Sequence, residues 1–155
     1  METTLVLVKP DGVQRRLVGR ILARFEEKGL QVTGLKLALL PRSLLERHYG
    51  AHKGKPFYEG LVTYMASSPV VAVALRGRNA VAVVRKMMGA TFGSKAEPGT
   101  IRGDLAISDG FNLVHGSDSP ESAEKEVALF FAKGEVLDWK PGDQDWVYDS
   151  SDGVR

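Results

Sequence analysis

The chain has 155 residues, 43% hydrophobic and 26% charged, a balance that excludes an intrinsically disordered polypeptide. It contains no cysteine, which rules out disulfides, thiolate metal sites and cysteine nucleophiles and fits a reducing compartment. The net charge of +2 hides an asymmetry: residues 1–102 hold 17 Lys+Arg against 7 Asp+Glu, and residues 103–155 hold 4 against 12.

A basic first two-thirds suits phosphates or another polyanion, or it neutralises the acidic remainder across a fold or subunit contact. Charge alone leaves those readings even. The length fits a single domain over 1–155, with residues 134–155 as a C-terminal tail. Glu2 stands where a leader would carry basic residues, and the apolar run Val70–Leu75 stops at Arg76, far short of the roughly 20 residues that span a bilayer. A soluble, cytoplasmic protein without membrane partners is the expectation.

Thr3–Val8 is a β-branched apolar run broken by Pro10-Asp11-Gly12, a buried strand followed by a turn. Leu17, Ile21, Leu22 and Phe25 recur at helical spacing up to Gly29. Gln31–Leu40 alternates in part, a second strand stopped by Pro41, and Ser43 is placed to cap a helix over about 44–49. After the basic loop Gly50–Pro56, the spacing of Phe57, Leu61 and Tyr64 predicts a helix. Val70–Leu75 is the clearest strand, and Asn79–Met88 reads as a helix. Thr91–Ile107 has no period and is rich in Gly and Pro, a long loop of the kind that tends to be functional. Asn112–His115 is a short strand candidate. Ser119 then caps a helix that has Pro120 first, Glu121 in its first turn, and runs to about Ala132. Trp139, Trp146 and Tyr148 predict a tail that docks, with 150–155 frayed. Interleaved strands and helices point to one α/β (α+β) sandwich, and four strands suit a ferredoxin-like βαββαβ arrangement with helices packed on a four-stranded antiparallel sheet.

No P-loop and no Gly-x-Gly-x-x-Gly sequence is present, so any phosphate must be held by side chains. His48 and His52 stand four apart, which on a helix makes half a metal site, but Gly50 interrupts them and ordinary loop histidines are the commoner reading. His115 lies at a strand end just before a capped helix, where phosphate and nucleophile meet readily. From that context alone a structural histidine remains the more frequent outcome.

The segment Asn112-Leu113-Val114-His115-Gly116-Ser117-Asp118-Ser119 resembles the active-site signature of nucleoside diphosphate kinases. Val8–Val13, His48-Tyr49 with Lys55-Pro56-Phe57, Pro98–Asp104 and Asp145–Tyr148 resemble the same family in order and spacing, so the likeness spans nearly the whole chain. The resemblance implies that His115 accepts the terminal phosphate of a nucleoside triphosphate on Nδ1 and passes it to a nucleoside diphosphate in ping-pong fashion. It assigns Ser117 and Glu126 to orienting that imidazole, and Tyr49 to a place near Lys9. Lys9, Arg85, Thr91, Arg102 and Asn112 are assigned to phosphates and sugar, Phe57 to stacking on the base with Leu61 beside it. Mg2+ is expected as cofactor, held mainly by the nucleotide phosphates rather than by a protein metal site. The family forms homo-oligomers, and the long tail resembles hexameric members, a tetramer being the alternative.

Three departures stand out: Phe92-Gly93 where Asn/Asp-Pro is usual, which bears on assembly more than on chemistry, Asp109 for an apolar residue near the base, and Tyr58 for a second Phe. Two other readings compete, a nucleic-acid-binding module and an inactive scaffold. The first lacks the RNA-recognition aromatic motif, leaving nucleic acid a secondary partner. The second has no need of Lys9, Arg85, Arg102, Asn112 and His115 together.

Overall fold

The computed structural model of the protein describes residues 1–154. Strands β1 (Glu2–Val8), β2 (Gln31–Ala38), β3 (Val70–Gly77) and β4 (Val114–Gly116) form one antiparallel sheet in the order β2-β3-β1-β4. Helices α1 (Pro10–Gln14) and α2 (Val18–Glu27) follow β1, and α3 (Arg42–His48) and α4 (Tyr58–Ala66) follow β2. Then come α5 (Ala80–Met88) after β3, α6 (Ile101–Leu105) before β4, and α7 (Pro120–Phe130) and α8 (Gln144–Val147) after it. This is the expected ferredoxin-like βαββαβ sandwich.

The central strands carry unbroken apolar runs, Leu5–Val8 in β1 and Val70–Leu75 in β3, because the sheet is covered on both faces there. Val6 and Val8 of β1, with Val71, Val73 and Leu75, pack against Ile21 and Phe25 of α2 and Val84 and Met88 of α5. Leu5 and Leu7 point the other way, onto Leu45, Val62, Met65 and Phe130. No described helix is long and apolar enough to cross a membrane.

Several expectations need correction. The turn at Pro10–Gly12 is a helical turn with Pro10 in its first position, where the missing N–H costs nothing. Pro41, not Ser43, occupies the N-cap of α3, its carbonyl accepting from Leu44 and Leu45. The stretch 91–107 is not free of structure. It holds a 3-10 turn at Gly93–Lys95 and the five-residue α6, capped by Thr100, whose hydroxyl accepts from the Gly103 N–H at 3.0 Å. Such a short helix has no apolar period to read, only its cap. The last strand begins at Val114 rather than Asn112, because Leu113 has left-handed φ (70°). In the tail, Trp146 is 92% exposed and does not dock. Tyr148 does, its hydroxyl accepting from the Arg78 N–H at 3.2 Å. Ser150–Asp152 forms a 3-10 turn with a capping box at Asp149 instead of fraying, and Arg155 lies outside the described residues.

Candidate functional site

The β1–β4 pairing sets Leu7 opposite His115, so the histidine rises from an edge strand directly beside the sheet's central one. Gly116 next to it leaves room for the core: a Cβ there would lie 2.5 Å from Met88 Sδ and 3.2 Å from Val84 Cγ1, so those side chains would have to shift. Ahead of it, Val114 N–H donates to Asn112 carbonyl at 2.8 Å, closing a three-residue turn about Leu113. With positive φ this is the strained hand of the γ-turn, which persists only where neighbours hold it.

They do. The Asp11 carboxylate accepts from the Leu113 N–H at 3.1 Å and from the Tyr64 hydroxyl at 2.6 Å, while the Lys9 N–H donates to the Leu113 carbonyl at 2.8 Å. Arg102 grips the same turn from the other side. Its guanidinium donates to the carbonyls of Asn112 (3.2 Å), Val114 (2.7 Å), Gly89 (3.1 Å) and Ala90 (3.4 Å). Four of its five N–H groups are thus engaged. Burial, with Arg85 nearby, lowers its pKa to about 10, and it stays a cation at neutral pH.

His115 Nε2 lies 3.0 Å from Glu126 Oε2, and the Ser117 hydroxyl donates to the same oxygen at 2.5 Å. Burial alone would raise the Glu126 carboxyl. The hydrogen bonds from His115 and Ser117 outweigh it and hold the group below the usual range. An ionised carboxylate accepts only, so in the neutral ring the proton belongs on Nε2 and the lone pair on Nδ1. Both groups line an open cleft of about 470 Å³, with His48, Tyr49, Arg85 and Asp118. Arg85 reaches the Gly116 carbonyl at 3.3 Å. Asp118 is held below the usual carboxylate range by a hydrogen bond from Ser122 and then by the Arg85 charge.

Lys9 sits at the end of β1, and its Nζ donates to Asn112 Oδ1 at 2.8 Å. The Asn112 amide donates in turn to the Thr91 carbonyl at 2.8 Å, so these three residues form one chain. Burial, reinforced by Arg102 and opposed by Asp11, lowers the Lys9 ammonium to about 8. Tyr49 is buried at the end of α3, its hydroxyl without a partner and its pKa pushed up by burial. Phe57, at the N-cap of α4, is half exposed, 5.2 Å from the His52 ring. Leu61 is partly buried against the core. The Phe57 ring is therefore not part of a core stripe, whereas Tyr58 is, being buried beside Val62 and Met65.

Two contributors are illegible in the sequence. Asp11 and Tyr64 meet across 53 positions, and nothing local announces the pair. His48 does not pair with His52 at all. Its ring packs edge-on against His115 at 4.8 Å, while His52 Nδ1 lies 3.2 Å from Lys55 Nζ. Burial, then the neighbouring His115, pushes His48 down to about 4, so it is neutral at physiological pH. At the departures, Gly93 is forced, since a Cβ there would lie 2.5 Å from the Ala106 carbonyl oxygen. Asp109 accepts from the Ser94 hydroxyl at 2.6 Å and from its N–H at 3.3 Å, and so ties the Phe92–Lys95 segment to the strand approach.

Residues 2–136 match the family model described as nucleoside diphosphate kinase. A nucleoside diphosphate kinase from Pelotomaculum thermopropionicum is 55% identical over 96% of this chain and 100% of its own length. One from Archaeoglobus fulgidus is 50% identical over 96% of this chain and 99% of its own. Among solved structures, a halophilic nucleoside diphosphate kinase from Halobacterium salinarum in complex with CDP superposes with a TM-score of 0.93. It is 47% identical and covers 96% of this chain and 99% of its own.

Proposed function

Since the chain belongs to the nucleoside diphosphate kinase family, we propose that the phosphate it transfers passes through Nδ1 of His115. The activity itself is transfer of the terminal phosphate of a nucleoside triphosphate to a nucleoside diphosphate. The single observation that carries the proposal is the hydrogen bond between His115 Nε2 and an ionised Glu126, which leaves the lone pair on Nδ1. That pair attacks the terminal phosphorus, the bond to the bridging oxygen breaks, and the diphosphate leaves with the electron pair. The imidazolium so formed keeps its Nε2 proton against the Glu126 carboxylate. In the second half-reaction a terminal oxygen of the acceptor diphosphate attacks phosphorus, and the N–P electron pair returns to Nδ1.

Arg85 lines this cleft, and in this reading Lys9 and Arg102 join it on the phosphates, as a charge-rich transition state requires. In this reading Asn112 and Thr91 serve phosphate and sugar, and Tyr49 lines the cleft with its ring against His48. The exposed Phe57 ring gives the base a π-face that reads no edge, with Leu61 beneath it.

Magnesium fits as a companion of the nucleotide phosphates rather than as a protein-bound ion. The groups converging at the histidine are two imidazoles and one carboxylate, a donor set poor for a hard cation that prefers oxygen. When bound, magnesium neutralises phosphate charge. We also propose a homo-oligomer, hexameric rather than tetrameric. Leu35 and Leu37 of the free edge strand β2, and Leu39 just beyond it, are 53%, 65% and 68% exposed, an apolar stripe that a second subunit would cover.

Incubation with ATP labelled at its terminal phosphate tests the reading. An acid-labile, base-stable phosphoprotein that gives its label to added GDP is expected; absence of label, or label retained in His115→Ala, would sink it.

Lys9 makes the binding step pH-dependent. Its ammonium is depressed to about 8 in the free protein, and bound phosphate raises it again. Above pH about 8, binding must therefore take up a proton, and nucleotide affinity falls by about tenfold per pH unit. Calorimetric titrations in buffers of different ionisation enthalpy measure that uptake directly. The slope disappears in Lys9→Gln.

A further inference from the structure

His48 is partly buried at the wall of the cleft that holds His115, and both of its ring nitrogens are buried without a hydrogen-bond partner. A buried polar group left unpaired is costly, and the phosphotransfer described above gives this imidazole no bond to make. Its surroundings give it one chemistry. One ligand atom each from His48, His115 and Glu126 lie within 4.8 Å of one another, and His115 Nε2 and Glu126 Oε2 are already 3.0 Å apart. Zinc bonds to imidazole nitrogen and carboxylate oxygen at about 2.0–2.2 Å, so its ligands in a tetrahedron stand about 3.3 Å from one another. The His115–Glu126 pair needs only a slight opening, and His48 a small swing of its side chain. Two imidazoles and one carboxylate with a fourth position open to a cleft form the ligand set of many zinc sites, and the nitrogen donors select against magnesium and calcium.

We propose that His48, His115 and Glu126 form a binding site for a first-row transition metal ion, zinc above all, and that its occupation excludes phosphorylation of His115. The exclusion rests on the reading of His115 as phosphate carrier; the metal site itself does not.

A neutral imidazole has one proton and one lone pair. With Glu126 accepting from Nε2–H, the lone pair is on Nδ1 and the ring is a nucleophile. An ion inserted between Nε2 and Glu126 takes the lone pair on Nε2, and the proton moves to Nδ1. No proton leaves the ring and no redox step is needed. The nitrogen that would attack phosphorus has become an N–H. Zinc at this site acts as a tautomer switch, and it also takes the Glu126 carboxylate that would steady the phosphorylated imidazolium.

Metal-free protein titrated with cobalt(II) tests the site without reference to activity. Visible ligand-field bands saturating at one ion per chain, and bleached by zinc, are expected. His48→Gln should weaken cobalt binding by about 100-fold or more, since loss of a mere outer partner already costs about 10–100-fold. His52→Gln should leave it within about twofold. Wild-type bands in folded His48→Gln, or their loss in His52→Gln, would overturn the site. Should His48→Gln not fold, anomalous diffraction at the zinc edge on wild-type crystals decides. An ion about 2.0–2.1 Å from a ring nitrogen of both His48 and His115 is expected, and an ion elsewhere refutes the proposal. Labelling from ATP should fail with zinc in excess of nucleotide and return on chelation. Labelling that proceeds with the site filled removes the exclusion. If protein free of transition metal but supplied with magnesium and ATP never labels, the phosphate-carrier reading fails instead, and the cobalt bands still decide the metal site.

Discussion

His115→Ala is expected to lower phosphotransfer by about 10⁴-fold or more while leaving nucleotide binding nearly intact. Loss of a covalent nucleophile removes the whole two-step route, and such losses run to about 10⁴–10⁶-fold because the remaining groups position substrate without offering a path. The substitution removes a partly exposed side chain, so it opens no core cavity. Glu126 keeps the Ser117 hydroxyl as donor and remains accessible to water, and the unfolding midpoint should therefore move little. Steady-state assays with ATP and GDP measure the rate, and calorimetry with a diphosphate measures the binding. A variant that kept even about a hundredth of the activity would mean direct transfer between the two nucleotides, and the ping-pong scheme would fall.

Arg102→Lys is expected to destabilise the protein by about 3 kcal/mol and to slow turnover by about 10–100-fold. A single ammonium cannot reach the carbonyls of Asn112, Val114, Gly89 and Ala90 together, and each buried acceptor left without a donor costs about 1–3 kcal/mol. The kinetic loss has a separate origin. Once the grip fails, the strained turn at Leu113 relaxes and His115 shifts, and displacement of about 1 Å can cost about 100-fold. Denaturant unfolding supplies the discriminating measurement. A side chain that merely touched phosphate would leave the curve within about 0.5 kcal/mol of the parent.

Arg102 also marks the boundary of what the sequence makes legible. Its resemblance to a phosphate-binding residue is visible in the motif around it, but its bonds to four carbonyls depend on where α6 sits against β4, which no local pattern encodes. β1 and β3 are readable because a sheet buried on both faces demands an unbroken apolar run. His115 is readable because glycine, serine and aspartate follow it in a recognisable order. His48 misleads. Four residues before His52 it looks like half of a helical pair, and only the packing of α3 on the sheet turns it toward His115. Trp146 misleads for another reason: large aromatic residues are usually buried, and this one stands free on the surface of the described chain.

The pairing of β4 with β1 also fixes when the site comes into being. Lys9 meets Asn112 across 103 positions and Asp11 meets Leu113 across 102, so the two halves of the cleft are separated by most of the polypeptide. A chain leaving the ribosome has synthesised β1, β2 and β3, and can bury most of both cores, before residue 114 exists. Through that interval one side of β1 remains an unpaired edge, open to wrong partners. Closing so long a loop is entropically slow and is repaid only when β4 docks. Recovery of activity during refolding therefore times that last docking, and lags behind the burial of the aromatic core.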